Sequence, residues 1–378
     1  MEDLVDEIEL ELTDENPIMD ENWRILVSMF PVEWKRLARS TKAVTRKLRM
    51  FPDEESVMRA LLTHIACGYS LRETVTMLKT SNVADISDVA LLKRLQCSEA
   101  WLKELCLRLI QENHFPSIEG GDGIRMRLVD GTTVKEPGQT GSLWRIHYSL
   151  TLPDLKCDYF RLTSDRGNGT GESFKQFPIK KGDCIVGDRG YCTSQGIDYV
   201  VSKGAHVLVR VNTSTLSFLY EDGKVFDLLS ELRGLEEDGS TGEWDVRIAC
   251  GDRTVAGRLV VVRKSMMAMA QALKRLKRAE SRKQTKLKPA TAELAKYVIV
   301  FTTLPRNAHP QKRVLEWYRY RWQIELAFKR LKSLLGLGHL PKQDEVSARA
   351  WLYGKLFTGL LIEKLIRTAK NVSPWGYI

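Results

Sequence analysis

The chain has little of the chemistry that would make it a small metal- or disulfide-stapled protein. Its seven cysteines are odd in number, scattered, and never spaced C-x-x-C. The six histidines show no H-x-x-x-H or Cys–His spacing. Both absences argue against a disulfide framework and a structural zinc site, and suit a reducing cytosol. No apolar run reaches the ~18 residues that a membrane-spanning helix needs. Basic residues are missing from the first 21 positions, MEDLVDEIELELTDENPIMDE, which hold ten carboxylates. That is the opposite of a secretory signal, so a soluble, cytoplasmic protein is expected. No repeat of fixed period is present.

What is present is positive charge. The 357 residues after position 21 carry 58 basic against 38 acidic side chains, a net charge of +20. A body that basic favours a polyanionic partner, nucleic acid before a membrane surface. At 378 residues, 43% of them hydrophobic, there is material for two or three domains.

Residues 1–21 read as a charged arm, and residues 22–117 as helical. SLRETVTMLK opens with Ser70 and Glu73 at capping-box spacing. SDVALLKRLQ follows with Ser87 as its N-cap, and SEAWLKELCLRLI begins at Ser98. Two short helices across a turn fit either a helix-turn-helix, with Lys93 and Arg94 near DNA, or a plain helical bundle.

The texture changes near residue 120. RLVDGTTV, LWRIHYSLTL and CDYFRLTS read as strands, the first ending near Asp130, and a short helix is expected around ESFKQF. KGDCIVGDRGY is a short apolar strand closing on Asp188. A helix (TSQGIDYVVSKG) and a strand (HVLVRV) then give the strand–helix alternation of an α/β sheet. Residues 212–296 read as mainly β with a basic helical tract, whose stretch 274–288 packs eight cations into fifteen residues. Lys274, Arg275, Lys277 and Arg278 are its candidate DNA contacts. YVIVFTTLP restores a buried strand.

WYRYRWQIELAFKRLK, residues 317–332, follows. On one continuous helix at ~100° per residue, with Tyr318 as zero, Arg321 falls near 300°, Glu325 near 340° and Lys332 near 320°. Trp317, Ile324, Phe328, Leu331 and Leu335 occupy roughly 220° to 280°, which gives a buried side. Four polar residues thus share one stripe beside the apolar face. An ordinary Arg–Glu surface pair remains the plain alternative.

Asp130 and Asp188 each stand beside glycine at the expected end of an apolar strand, where a rigid sheet can aim a carboxylate into a crevice. Two such Asp and a Glu from a following helix can hold two Mg²⁺ ions for phosphodiester chemistry. Asp122, Asp158, Asp165 and Asp183 look less well aimed.

Tyr318, Arg321, Glu325 and Lys332 reproduce Y-x2-R-x3-E-x6-K, and with LVDGTTV and IVGDRGY the chain resembles the insertion-sequence-four family of bacterial DDE transposases. The resemblance spans roughly residues 25 to 365, including SDVALLKRLQCSEAWL, which is similar to that family's DNA-binding region. It implies an all-α DNA-binding domain at 22–117 and a ribonuclease H-like α/β core at 118–211 and 297–378. The mainly β insertion at 212–296 would interrupt that core. It further implies metal ligation by Asp130, Asp188 and Glu325, with two Mg²⁺ expected and Mn²⁺ able to substitute. Tyr318, Arg321 and Lys332 would bind DNA phosphates. The partners implied are double-stranded DNA, both terminal inverted repeats and target, and a second copy in a homodimer. An aromatic of the insertion stacks near an extruded base in that family, and Trp244 is the only Trp in this insertion. Only 46 residues follow Lys332, fewer than a long C-terminal dimerisation region needs. The activity expected is cut-and-paste transposition. Its rivals are a nuclease without strand transfer and a catalytically dead DNA-binding regulator.

Overall fold

The computed structural model describes residues 17–45, 50–112, 123–135, 143–164, 171–284, 286, 288–338, 340–341 and 344–372. Most of the acidic arm, Asp122 and Asp165 lie outside the described residues, as do positions 285 and 287 of the basic tract. The chain divides into two compact units, residues 1–113 with 333–378, and residues 114–332. Among the described residues no helix is long and apolar enough to cross a membrane.

The first unit is helical: α1 (Pro17–Ser28), α2 (Trp34–Ser40), α3 (Glu54–Cys67), α4 (Leu71–Thr80), α5 (Asp88–Cys97) and α6 (Glu99–Glu112). Helix α1 starts inside the stretch expected to be an arm. The capping box forms at α4 as the spacing predicts, and the Ser87 hydroxyl caps α5 through Ala90 N–H. Ser98 does not cap α6. Its buried hydroxyl donates back to the Arg94 carbonyl at 2.7 Å. Arg94 is itself spent on structure, donating to the Ala43 carbonyl at 2.6 Å, while Lys93 is exposed.

The second unit is built on one nine-stranded sheet in the order β3-β2-β1-β4-β5-β9-β8-β7-β6. Strands β1 (Arg125–Lys135), β2 (Leu143–Thr151) and β3 (Lys156–Ser164) form an antiparallel meander. Strands β4 (Asp183–Gly187) and β5 (His206–Arg210) run parallel to β1, with α7 (Ser194–Ser202) as the crossover between them. All five residues of β4 are buried, as a central parallel strand covered on both faces requires. The expectation that β1 ends near Asp130 is corrected. The strand continues to Lys135 because its outer edge stays paired with β2, and only its parallel pairing with β4 stops, at Leu128–Val186.

Residues 212–296 supply β6 (Phe218–Leu219), α8 (Leu228–Leu232), β7 (Thr241–Cys250), β8 (Arg253–Arg263), α9 (Met266–Lys283) and α10 (Pro289–Leu294). These strands extend the same sheet: β8 pairs with β9 (Tyr297–Thr302), which pairs with β5. The nearly fully buried Arg258 holds this edge, donating from Nε to the Leu304 carbonyl at 3.0 Å and from Nη2 to the His309 carbonyl, with Glu243 as its ion-pair partner. That lock fixes the segment entering α11 (Gln311–Arg319), after which comes α12 (Trp322–Ser333).

The last helix, α13 (Glu345–Val372), packs with α3, α5 and α6 in the first unit. Residues 333–378 were expected with the sheet and do not belong there. The reason is apolar matching. Phe357 meets Phe30 at 5.3 Å between ring centroids, and Arg349 and Lys364 pair with Glu99 and Glu112 of α6. Gly354 lets α13 approach α3, since a Cβ there would sit 2.5 Å from Ile65.

Candidate active site

Asp130 and Asp188 each lie two residues beyond the last parallel pair of β1 and β4, so the register sets them side by side. Each folds one carboxylate oxygen onto the backbone. Asp130 Oδ1 accepts from Gly131 N–H at 2.7 Å and Asp188 Oδ1 from Gly190 N–H at 2.7 Å. Among the described residues the other oxygen of each is uncommitted. Burial pushes the Asp130 carboxyl up to about 7, against the Gly131 hydrogen bond, and the charges of Asp188 and Glu172 push the same way.

Glu172 is a carboxylate that the sequence reading missed. It leans over Gly190, where a Cβ would fall 1.9 Å from its Oε2, and lies beside Gly131 as well. Burial and Asp188 raise its pKa, while Arg145 faces it at 3.5 Å. Tyr191 forms the floor. It is fully buried, its hydroxyl has no hydrogen-bond partner among the described residues, and its pKa is raised by burial and then by Asp130, Glu172 and Asp188. No spacing in the sequence ties Glu172 to the two aspartates. Only the glycine at 190, which leaves room for it, hints at a close approach.

The 317–332 stretch is not one helix. Helix α11 ends at Arg319 and α12 starts at Trp322, joined by tight i→i−3 bonds from Arg321 N to Tyr318 O and from Ile324 N to Arg321 O, at 3.1 and 3.2 Å. The apolar side survives the break, with Ile324, Phe328 and Leu331 buried, whereas Trp317 and Leu335 are half-buried. Tyr318 is buried, with the Arg321 guanidinium 5.9 Å from its ring centroid. Arg321 binds Glu325 at 2.6 Å. Burial works against the Arg321 charge, but Tyr318, Glu325 and Asp130 outweigh it and raise its pKa. Lys332 is exposed. Burial of part of its stem lowers its pKa, and Asp130 partly offsets this. Arg321 and Lys332 therefore both feel Asp130, and the stripe faces the paired aspartates. The Glu325 carboxylate is turned onto Arg321, and among the described residues no three acidic, His or Cys side chains stand together as a metal cage.

Two of the discarded aspartates are structural. Asp158 and Asp183 pair with the buried Arg127, and Asp183 also with Arg125, which ties β1, β3 and β4 together. Trp244 packs edge-on to Phe226 against the core. Lys274, Arg275, Lys277 and Arg278 are all exposed on α9. A cavity of about 500 Å³ opens between α9 and the sheet, with Arg189, Arg210, Lys264 and Arg275 on its walls and no carboxylate. Burial, then Arg210 and Arg189, lowers Lys264 to about 8. Arg210 is also within reach of Asp188 and Arg321, so this cationic wall continues to the aspartates.

Residues 161–361 match the transposase DDE domain, and the chain belongs to that family of DNA-processing enzymes. The relatives it resembles are named as transposases of insertion sequence elements. The putative transposase InsL of insertion sequence element IS186A from Escherichia coli K12 is 32% identical over 363 residues, covering 94% of this chain and 96% of the relative. The transposase of IS421 from Escherichia coli is 32% identical over 364 residues with the same coverage. The transposase of IS231F from Bacillus thuringiensis subsp. israelensis is 22% identical over 377 residues, covering 90% of this chain and 78% of the relative.

Proposed function

We propose that this chain is a cut-and-paste transposase of the insertion-sequence-four group, with a ribonuclease H-like core. It cleaves transposon ends by two-metal phosphodiester hydrolysis and joins the freed 3′-hydroxyls to target DNA. The observation that carries the reading is the pair Asp130–Asp188, set side by side by a parallel register and faced by Arg321 and Lys332. The donor set fits divalent metal: the charge of Asp188 opposes ionisation of the partly buried Asp130, and among the described residues each keeps one uncommitted oxygen. When bound, two Mg²⁺ ions, or Mn²⁺ in their place, supply positive charge at the scissile phosphate and lower the pKa of the attacking water.

Asp130, Asp188 and Glu325 would hold those ions. Glu325 takes part by releasing Arg321, which frees that guanidinium for a phosphate oxygen. Tyr318 and Lys332 would bind phosphates beside the scissile bond, where fixed cations stabilise the charge that develops. The cationic cavity under α9 and the row Lys274, Arg275, Lys277 and Arg278 would follow the backbone of the duplex. Residues 22–117 would bind the inverted repeats, Lys93 through its exposed ammonium and Arg94 mainly by holding the helices together. Two copies would bridge the two ends as a homodimer.

The test is a supercoiled plasmid carrying an element flanked by the inverted repeats found beside the gene, incubated with Mg²⁺. Excision with joining to a target plasmid is the expected result. Cleavage without joining would reduce the protein to a nuclease, and binding without cleavage would make it a regulator.

A further inference from the structure

We propose that the cavity at the start of α4, in the helical unit, is a phosphate-binding site with Lys355 as its floor. The cavity has a volume of about 760 Å³ and is bounded by the end of α3, the start of α4 and the inner face of α13. Lys355 is only 3% exposed. Its ammonium lies 5.0 Å from the centre of the Trp351 ring and 3.9 Å from where a Cβ at Gly336 would stand, and both residues line the cavity. It forms no hydrogen bond or ion pair with any described residue. A lysine near a surface normally extends its charge into water, and a buried ammonium without a counter-charge is costly. A cavity beside such a group supplies the space for an external anion.

The two acids on the cavity wall are already committed. Glu73 accepts from Ser70 N–H at 2.7 Å in the capping box, and Asp88 faces Arg72 at 3.6 Å. Helix α4 directs its positive end to the same place. Ser70 takes up the N–H of Glu73 with its hydroxyl and that of Thr74 with its carbonyl, leaving the Leu71 and Arg72 amides as helix-end donors. Arg72 stands at the rim with a largely exposed side chain. A buried ammonium and two helix-end amides line one space, with the Arg72 guanidinium, which also faces Asp88, at its rim. A phosphate offers enough oxygens to meet all of them. Burial also lowers the Lys355 pKa, and an incoming phosphate would act against that shift. The phosphate could belong to a DNA backbone, which rests on the transposase reading, or be free in solution, which does not.

The experiment uses the full chain and no cleavage readout, so its failure is distinguishable from failure of the transposase chemistry. Acylation of Lys355 by an amine-reactive ester is followed by peptide mass spectrometry, with exposed Lys103 as reference. Inorganic phosphate, or a duplex without end sequences, is compared with chloride at equal ionic strength. Slower acylation of Lys355 relative to Lys103 in phosphate supports a free-anion site, and slowing by duplex alone supports a backbone contact. Slowing by neither overturns the proposal. Lys355→Met should raise the melting temperature without phosphate and weaken phosphate binding at least about tenfold. It should also flatten the salt dependence of duplex binding by about one unit of slope. A Lys355→Met protein that phosphate stabilises as much as the parent would equally refute the site.

Discussion

Asp130→Asn tests the electrostatics of the aspartate pair without relying on catalysis. Burial and the neighbouring carboxylates move the Asp130 carboxyl from 3.8 to about 7. Asparagine keeps the oxygen that accepts from Gly131 N–H, so the turn geometry should survive. In metal-free buffer below about pH 4, Asp130 is neutral in both folded and unfolded chains and has little effect. As pH rises, the unfolded carboxylate ionises first, while the folded one keeps its proton until about 7. Stability is therefore lost between those values and the loss levels off above them. The displacement corresponds to about 4 kcal/mol. Denaturant unfolding of parent and Asp130→Asn in chelator, at pH 5 and pH 8, measures it. The variant should be the more stable protein at pH 8, by up to about 4 kcal/mol, with a smaller advantage at pH 5. Adding Mg²⁺ at pH 8 should stabilise the parent and leave the variant nearly unchanged. Equal stability of the two proteins at pH 8 would refute a carboxylate strained by burial and by its neighbours.

In single-turnover nicking of an end-containing duplex, Glu325→Gln should abolish cleavage, and Arg321→Ala and Lys332→Ala should slow it. Tyr318→Phe should be mildest. If Glu325 served only its pair with Arg321, each change would cost about 0.3–0.5 kcal/mol of helix stability and leave nicking at the parental rate. Replacing Lys274, Arg275, Lys277 and Arg278 by Gln should flatten the salt dependence of duplex binding by up to about one unit per lost phosphate contact, read by fluorescence titration. Gly354→Ala should destabilise the helical unit by about 1–3 kcal/mol in thermal melts, because the added methyl meets Ile65.

Local chemistry was legible in the sequence. Ser70 with Glu73 and Ser87 with Ala90 are caps formed within one helical turn, so three-residue spacing is enough to specify them. The apolar strands around residues 183–187, 206–210 and 297–302 stand where alternation and burial place them. Asp130 and Asp188 could be picked out because a carboxylate beside glycine after an apolar run is a local pattern. Features that depend on distant partners were not legible. Asp130 lies within β1 because β2 pairs beyond it, and residues 333–378 leave the sheet because α13 finds its apolar match in α3, α5 and α6. The break at Tyr320–Arg321 is invisible to a fixed angular period, since tightening two hydrogen bonds changes no residue type. Glu172 reaches the aspartates because a loop folds over Gly190, and Lys355 is a buried charge, unpaired among the described residues, because segments distant in the chain enclose it. Sequence alone determines which groups can do the chemistry, through type and short spacing. Which of them share a space is decided by long-range pairing and packing, whose free energy depends on contacts between residues far apart in the chain.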